Sequence, residues 1–182
     1  MANIMRKLIL AISTLLLFGC AARVATVQLN APNLIHKEST VQVKDERLDK
    51  QIYMTGISIG AESHIYMLNA EPPLDISLER YIYSIMSNKI PLAAFSKAEV
   101  TIDEIDLKNK VGFGKANELL CKMESTLVVY DKSAKSFEFK IKTFVKNDKD
   151  MSVLITSSAK EILEPCLQKH ASDIYTHFES FK

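Results

Sequence analysis

Two neighbouring stretches that alternate residue by residue constrain this chain more than any other feature. In the first, Cys121, Met123, Ser125, Leu127 and Val129 fall on one side of an extended backbone, with Lys122, Glu124 and Thr126 on the other. In the second, Phe137, Phe139, Ile141, Thr143 and Val145 share one side, and Glu138, Lys140, Lys142 and Lys146 the other. A side-chain period of two marks a strand with one dry and one wet face. The polar run Asp131-Lys132-Ser133-Ala134-Lys135-Ser136 between them reads as a hairpin turn, so the pair is antiparallel. The lysine row then reads as a solvated sheet face rather than a binding patch. Any fold for this chain must lay an apolar layer over the dry face.

The rest of the sequence supplies that layer. Thr40-Val41-Gln42-Val43-Lys44 reads as a strand, and Ile52 to Gly60 as a second, with Gly56 marking a bulge. Ile65-Tyr66-Met67 is extended and Pro72-Pro73 stops it. Asp75 caps a helix whose apolar stripe is Leu78, Ile82, Ile85 and Met86, and Pro91 ends it. Val100 and Ile102 share one parity, Ile105 and Leu107 the other, which places a bulge near Asp103-Glu104. Met151 to Ser157 is a further strand candidate. A closing helix carries Leu163, Cys166, Leu167, His170, Ile174, Phe178 and Phe181 on one stripe. Its start is either the capping box Ser158/Glu161 or the first-turn proline Pro165. This order predicts an α+β fold, an antiparallel sheet with two helices packed on one face.

The N-terminus reads as an export signal. Arg6 and Lys7 precede the apolar run Leu8 to Ile12 and Leu15 to Phe18, which is shorter than the roughly 20 residues a spanning helix needs. It ends in Leu17-Phe18-Gly19-Cys20, which resembles a lipobox. The resemblance implies lipid (palmitate and diacylglycerol) on Cys20, cleavage before it, and stable attachment to a membrane through several acyl chains. Ala21 follows where enteric-type sorting reads Asp as a signal to stay in the inner membrane, so the implied address is the outer membrane, facing the periplasm. The chain divides into a signal peptide (1–19), a lipidated N-terminus and tether (20–38) and a single α+β domain (39–182). Losing residues 1–19 removes two cations and no anion, turning a formal charge of +1 into −1. That balance carries no footprint for nucleic acid.

From these residues a family resemblance emerges. The lipobox, the stretch Val41-Gln42-Val43-Lys44-Asp45-Glu46-Arg47, and a helix leading to strand, hairpin and strand are similar to YajG-type outer-membrane lipoproteins. The layout through the closing helix also resembles the auxiliary lipoproteins of lipid-trafficking ABC systems (the PqiC type) and LptE-type lipopolysaccharide-assembly lipoproteins. Leu48 stands where YajG-type chains continue with proline. The resemblance implies an accessory or assembly subunit of an outer-membrane or trans-envelope complex, partnered by an envelope protein complex or lipid-trafficking system.

Chemistry-bearing motifs are few. Gly56-Ile57-Ser58-Ile59-Gly60 fits the nucleophile-elbow pattern, with Ser58 as nucleophile and His64 or His170 as base, so a small lipid-anchored hydrolase is the alternative reading. A soluble-ligand binding module is another. Asp103, Glu104 and Asp106 alternate on a strand and read as a solvated surface; Gly112-Phe113-Gly114-Lys115 is too short for a phosphate loop. The histidines are scattered, and no metal or cofactor is expected. Cys121 and Cys166 form an even pair in an oxidising compartment, either a disulfide or two small buried hydrophobes. Tyr66 and Phe113 fall outside the apolar stripes and are expected partner contacts.

Overall fold

The computed structural model describes residues 24–33, 40–58, 64–87, 95–111, 117–149 and 155–180. Among these residues the elements run β1 (Ala25–Gln28), β2 (Val41–Asp45), β3 (Ile52–Ser58), β4 (His64–Glu71) and α1 (Leu74–Ser87). They continue with β5 (Lys97–Val111), β6 (Asn117–Tyr130), β7 (Ser136–Lys149) and α2 (Ile155–Glu179). All seven strands join one sheet in the order β1-β4-β3-β5-β6-β7, with β2 also beside β5. The fold is α+β, as expected.

The sheet is mixed, where an antiparallel one was expected. β3 with β4, β5 with β6 and β6 with β7 are antiparallel. β1 runs parallel to β4, and β2 and β3 both run parallel to β5. The cause is the length of β5. Its first part, Ala98 to Ile102, takes β2, and its last part, Leu107 to Val111, takes β3. One edge of a 15-residue strand is thus covered by two short strands in tandem. Between them the chain leaves the sheet for residues 46–51. Opposite this gap the β5–β6 register shifts between Ile102 and Glu104. The extra residue restores the phase, so Ala98, Val100 and Ile102 are buried along with Ile105 and Leu107. Gly56 needs no bulge: it pairs in register with His64 on one side and Asn109 on the other.

Both helices cover the dry face and touch each other. The buried residues Leu78, Ile82 and Met86 of α1 belong to a helix that packs on β2 and on α2, while α2, with Ile162, Leu163, Leu167 and Ile174 buried, lies over β6 and β7. The last helix begins at Ile155, so the end of the stretch expected as a strand is helical; residues 151–154 lie outside the described residues. Pro165 sits inside this helix rather than at its start. It removes one backbone bond and faces solvent, while the buried stripe runs unbroken past it from Ser158 to Phe178. The stretch expected as tether contributes β1, whose Val27 is buried, and Leu29 beyond it is buried too.

Candidate functional site

Two hydroxyls and an imidazole interrupt otherwise apolar stripes, and the fold brings them together. Thr143 pairs across from Met123, two residues along β6 from Ser125, so both hydroxyls stand side by side under α2. His170 inserts between them. The donors can be assigned from the acid end. Asp173 Oδ2 accepts from Thr143 Oγ1 at 2.6 Å. Thr143 Oγ1 therefore accepts from His170 Nδ1–H at 2.7 Å. That leaves Nε2 bare to accept from Ser125 Oγ–H at 2.8 Å. Lys169 Nζ holds both oxygens of Asp173 at 3.1 and 3.0 Å. Burial drives the His170 pKa down to about 4; Asp173 pulls it up and Lys169 pushes it further down. The imidazole is neutral at neutral pH.

The order Ser, His, Thr, Asp imitates a nucleophile relay, but Ser125 and His170 are both 0% exposed. A substrate has no route to that hydroxyl without lifting α2. The chain of bonds instead fixes the rotation and height of the helix on the sheet. One turn earlier, Cys166 is joined to Cys121 by a disulfide, with Cα atoms 6.2 Å apart. The covalent and the polar contacts link the same helix to the same strand, four residues apart in each.

The second constellation is built from the Val-x-Val-x-Asp-x-Arg stretch. Val41 and Val43 are buried, and their backbone N–H groups point away from β5 toward α1. Tyr83 Oη accepts from Val41 N at 2.9 Å and donates to Val41 O at 3.1 Å, while Glu79 Oε2 accepts from Val43 N at 3.4 Å. A helix side chain thus blocks the free edge of β2. Beyond it, Arg47 folds back on Asp45, donating Nε to Oδ1 at 2.8 Å and an η nitrogen to Oδ2 at 2.7 Å. Its guanidinium also donates to Gln51 O and Lys50 O. Burial raises the Asp45 pKa, but the hydrogen bonds and charge of Arg47 outweigh it and hold the carboxyl below its usual value. The result is a stapled loop that lifts Leu48 fully into solvent. A cavity of about 440 Å³ opens beside it, lined by Asp45, Lys50, Asn69, Ala70 and the start of α1 at Pro73 to Asp75.

The outer face of the sheet is a lattice of ion pairs. Lys122 meets Glu104 and Glu124 at 3.0 and 2.8 Å, Lys142 meets Glu124 at 3.0 Å, and Lys140 meets Asp103 at 3.2 Å. Each lysine of the row expected to be solvated has an acid beside it, so no uniform positive field forms there. Sequence reasoning missed Leu48; its signal is one apolar side chain inside a charged turn.

The residues singled out from sequence are scattered by the fold. Tyr66, expected as an exposed contact, is partly buried against the core across from Met54. Cys20 and Phe113 lie outside the described residues. Ser58 ends β3 as an extended residue beside Val111, and the next described strand, beginning at His64, returns antiparallel. A nucleophile elbow needs a strand turning into a helix; the described residues on either side of 59–63 are both strands. The other candidate base, His170, is engaged by Ser125 and Thr143. Among the described residues no group of His, Cys, Asp and Glu is arranged to hold a metal, and no helix is long and apolar enough to cross a membrane.

No family model and no curated protein matches the chain. Among solved structures, it is similar to a Xanthomonas campestris protein described as DUF330, with 10% identity over 88% of this chain and 99% of that one and a TM-score of 0.47. It is also similar to a minor lipoprotein from Acinetobacter baumannii, with 13% identity over 57% of this chain and 81% of that one and a TM-score of 0.38.

Proposed function

We propose that this chain is a lipid-anchored envelope lipoprotein that serves, without chemistry of its own, as an accessory subunit of an outer-membrane or trans-envelope complex. The observation that carries the reading is the buried disulfide between Cys121 and Cys166. Such a bond forms and persists in an oxidising compartment, and the export signal ending at Cys20 supplies the route to one. The described sheet and helices all lie downstream of the cut. The apolar side chains are spent on one core, and the Ser–His pair within it is sealed. The stapled loop carrying Leu48 is the surface that best suits a partner, since a rigid exposed apolar side chain binds with little ordering cost.

The test is fractionation of cells making the wild type or Cys20→Ser. The wild type is expected in the outer-membrane fraction, acyl-labelled. Cys20→Ser is expected to be unlabelled and displaced from that fraction. Normal labelling of Cys20→Ser would overturn the reading. A Leu48→Ser variant that melts like the wild type is expected to lose cross-linking to the partner complex.

A further inference from the structure

The sheet begins so soon after the lipidation site that the anchor fixes which end of the domain meets the membrane. Val24, the first described residue, is four residues from Cys20, a reach of about 14 Å when fully extended. From there β1 enters the sheet parallel to β4, with Ala25 beside Leu68. β4 starts four residues before that point, at His64, so the β3–β4 hairpin overhangs the chain entry by about 10–13 Å. The tether's reach and this overhang are nearly equal. A lipid on Cys20 cannot sit in a bilayer without drawing the hairpin end of the sheet close to its surface.

The side chains at that corner suit the contact. On the outer face of the sheet stand Tyr53 of β3, 39% exposed, and Ile65 of β4, 66% exposed, with Val24, 38% exposed, at the chain entry. Beside them on β5, Lys108, which meets Asp106 at 2.8 Å, is the register partner of Thr55, which pairs with Ile65, and the exposed Lys110 follows two residues on. Apolar side chains flanked by lysines are the composition of a surface that settles into the headgroup layer of an anionic bilayer. The far end of the sheet carries instead the polar turn Asp131 to Lys135.

We infer that the corner formed by Val24, Tyr53, Ile65, Lys108 and Lys110 lies against the bilayer that holds the lipid of Cys20, which directs the opposite end, at Asp131 to Lys135, away from it. The inference rests on the lipoprotein reading above. Its geometry is quantitative. Ile65 is level with Leu120 through Thr55 and Lys108, and the ten residues from Leu120 to Tyr130 carry the far turn about 30 Å from it.

The experiment uses the full mature protein, acylated at Cys20, in vesicles of phosphatidylethanolamine and phosphatidylglycerol. A fluorophore is attached at Ile65→Cys or at Ser133→Cys; the native pair Cys121–Cys166 is bonded and buried, so only the new thiol reacts. Melting temperature confirms that each labelled protein is folded. Flotation reports anchoring, and quenching by headgroup-nitroxide lipid reports proximity. The expected result is flotation of both proteins, with the label at position 65 quenched several-fold more than that at 133. Flotation with equal quenching, or with 133 quenched more, overturns the orientation and leaves the lipoprotein reading standing. Acylated protein that fails to float overturns both.

Discussion

At the residue scale, His170 decides how the fold responds to acid. Its folded pKa of about 4 lies below the ordinary 6.5, so the unfolded chain takes up a proton first as pH falls. The stability that depends on the neutral imidazole is therefore complete above pH 6.5, drains as pH falls toward 4, and stops draining below that. The whole effect is about 3 kcal/mol for a shift of this size. Urea unfolding of the mature domain across this window is expected to show the decline, and His170→Gln to flatten it. A His170→Gln variant with the same slope as the wild type would assign the decline to other groups. Arg47 makes a second residue-scale case, because Asp45 and Arg47 side chains are each only 9% exposed. Arg47→Ala leaves a nearly buried carboxylate with only the more distant Lys50, at 3.6 Å, and is expected to lower stability by about 2–3 kcal/mol in urea unfolding. Ser125, Thr143 and His170 were each legible as polar members of dry stripes. What the sequence does not carry is their meeting: that depends on the crossing of α2 over β6 and β7, which no period reports.

At the element scale, β6 and β7 were plain in the sequence because alternating burial repeats for many residues on both strands. The bulge in β5 was legible for the same reason, as a change of parity between Ile102 and Ile105. The parallel partners were not. Alternation says which side chains are dry but not which strand lies alongside, or in which direction, so the tandem placement of β2 and β3 along β5 could not be read. The β-branched Ile155 and Thr156 drew the start of α2 toward a strand reading, and packing of Ser158 and Ala159 under the helix overrode that local preference. Two element-level outcomes follow. The disulfide closes a separation of 45 residues, and its removal by Cys121→Ala with Cys166→Ala is expected to lower stability by about 4 kcal/mol in the chain-entropy picture. Thiol titration of denatured, unreduced mature protein is expected to find neither cysteine free; finding both free would refute the bond. Tyr83→Phe removes the hydroxyl that is hydrogen-bonded to both the N–H and the C=O of Val41 at a buried position of β2. A loss of about 1–3 kcal/mol is expected, read as a lower urea midpoint at unchanged slope.

At the scale of the whole molecule, the domain is a lidded sheet, and the proposed lipid on Cys20 would lie close to one end of it. The dry face is closed by helices, of which a disulfide and a hydrogen-bonded histidine hold α2 in place, and on the wet face Lys122, Lys140, Lys142 and Lys146 are paired with acids. Rigidity of this kind suits a part that positions others, and the proposed role follows from it together with the N-terminal signal. The central claim is that the mature chain begins at Cys20 and carries lipid there. Intact-mass measurement of the protein extracted from membranes tests it most directly. The expected mass is that of residues 20–182 with the Cys121–Cys166 bond closed, plus a diacylglyceryl group and an amide-linked acyl chain on Cys20. A mass matching the uncut chain, or a cleaved chain with no lipid, would contradict the account.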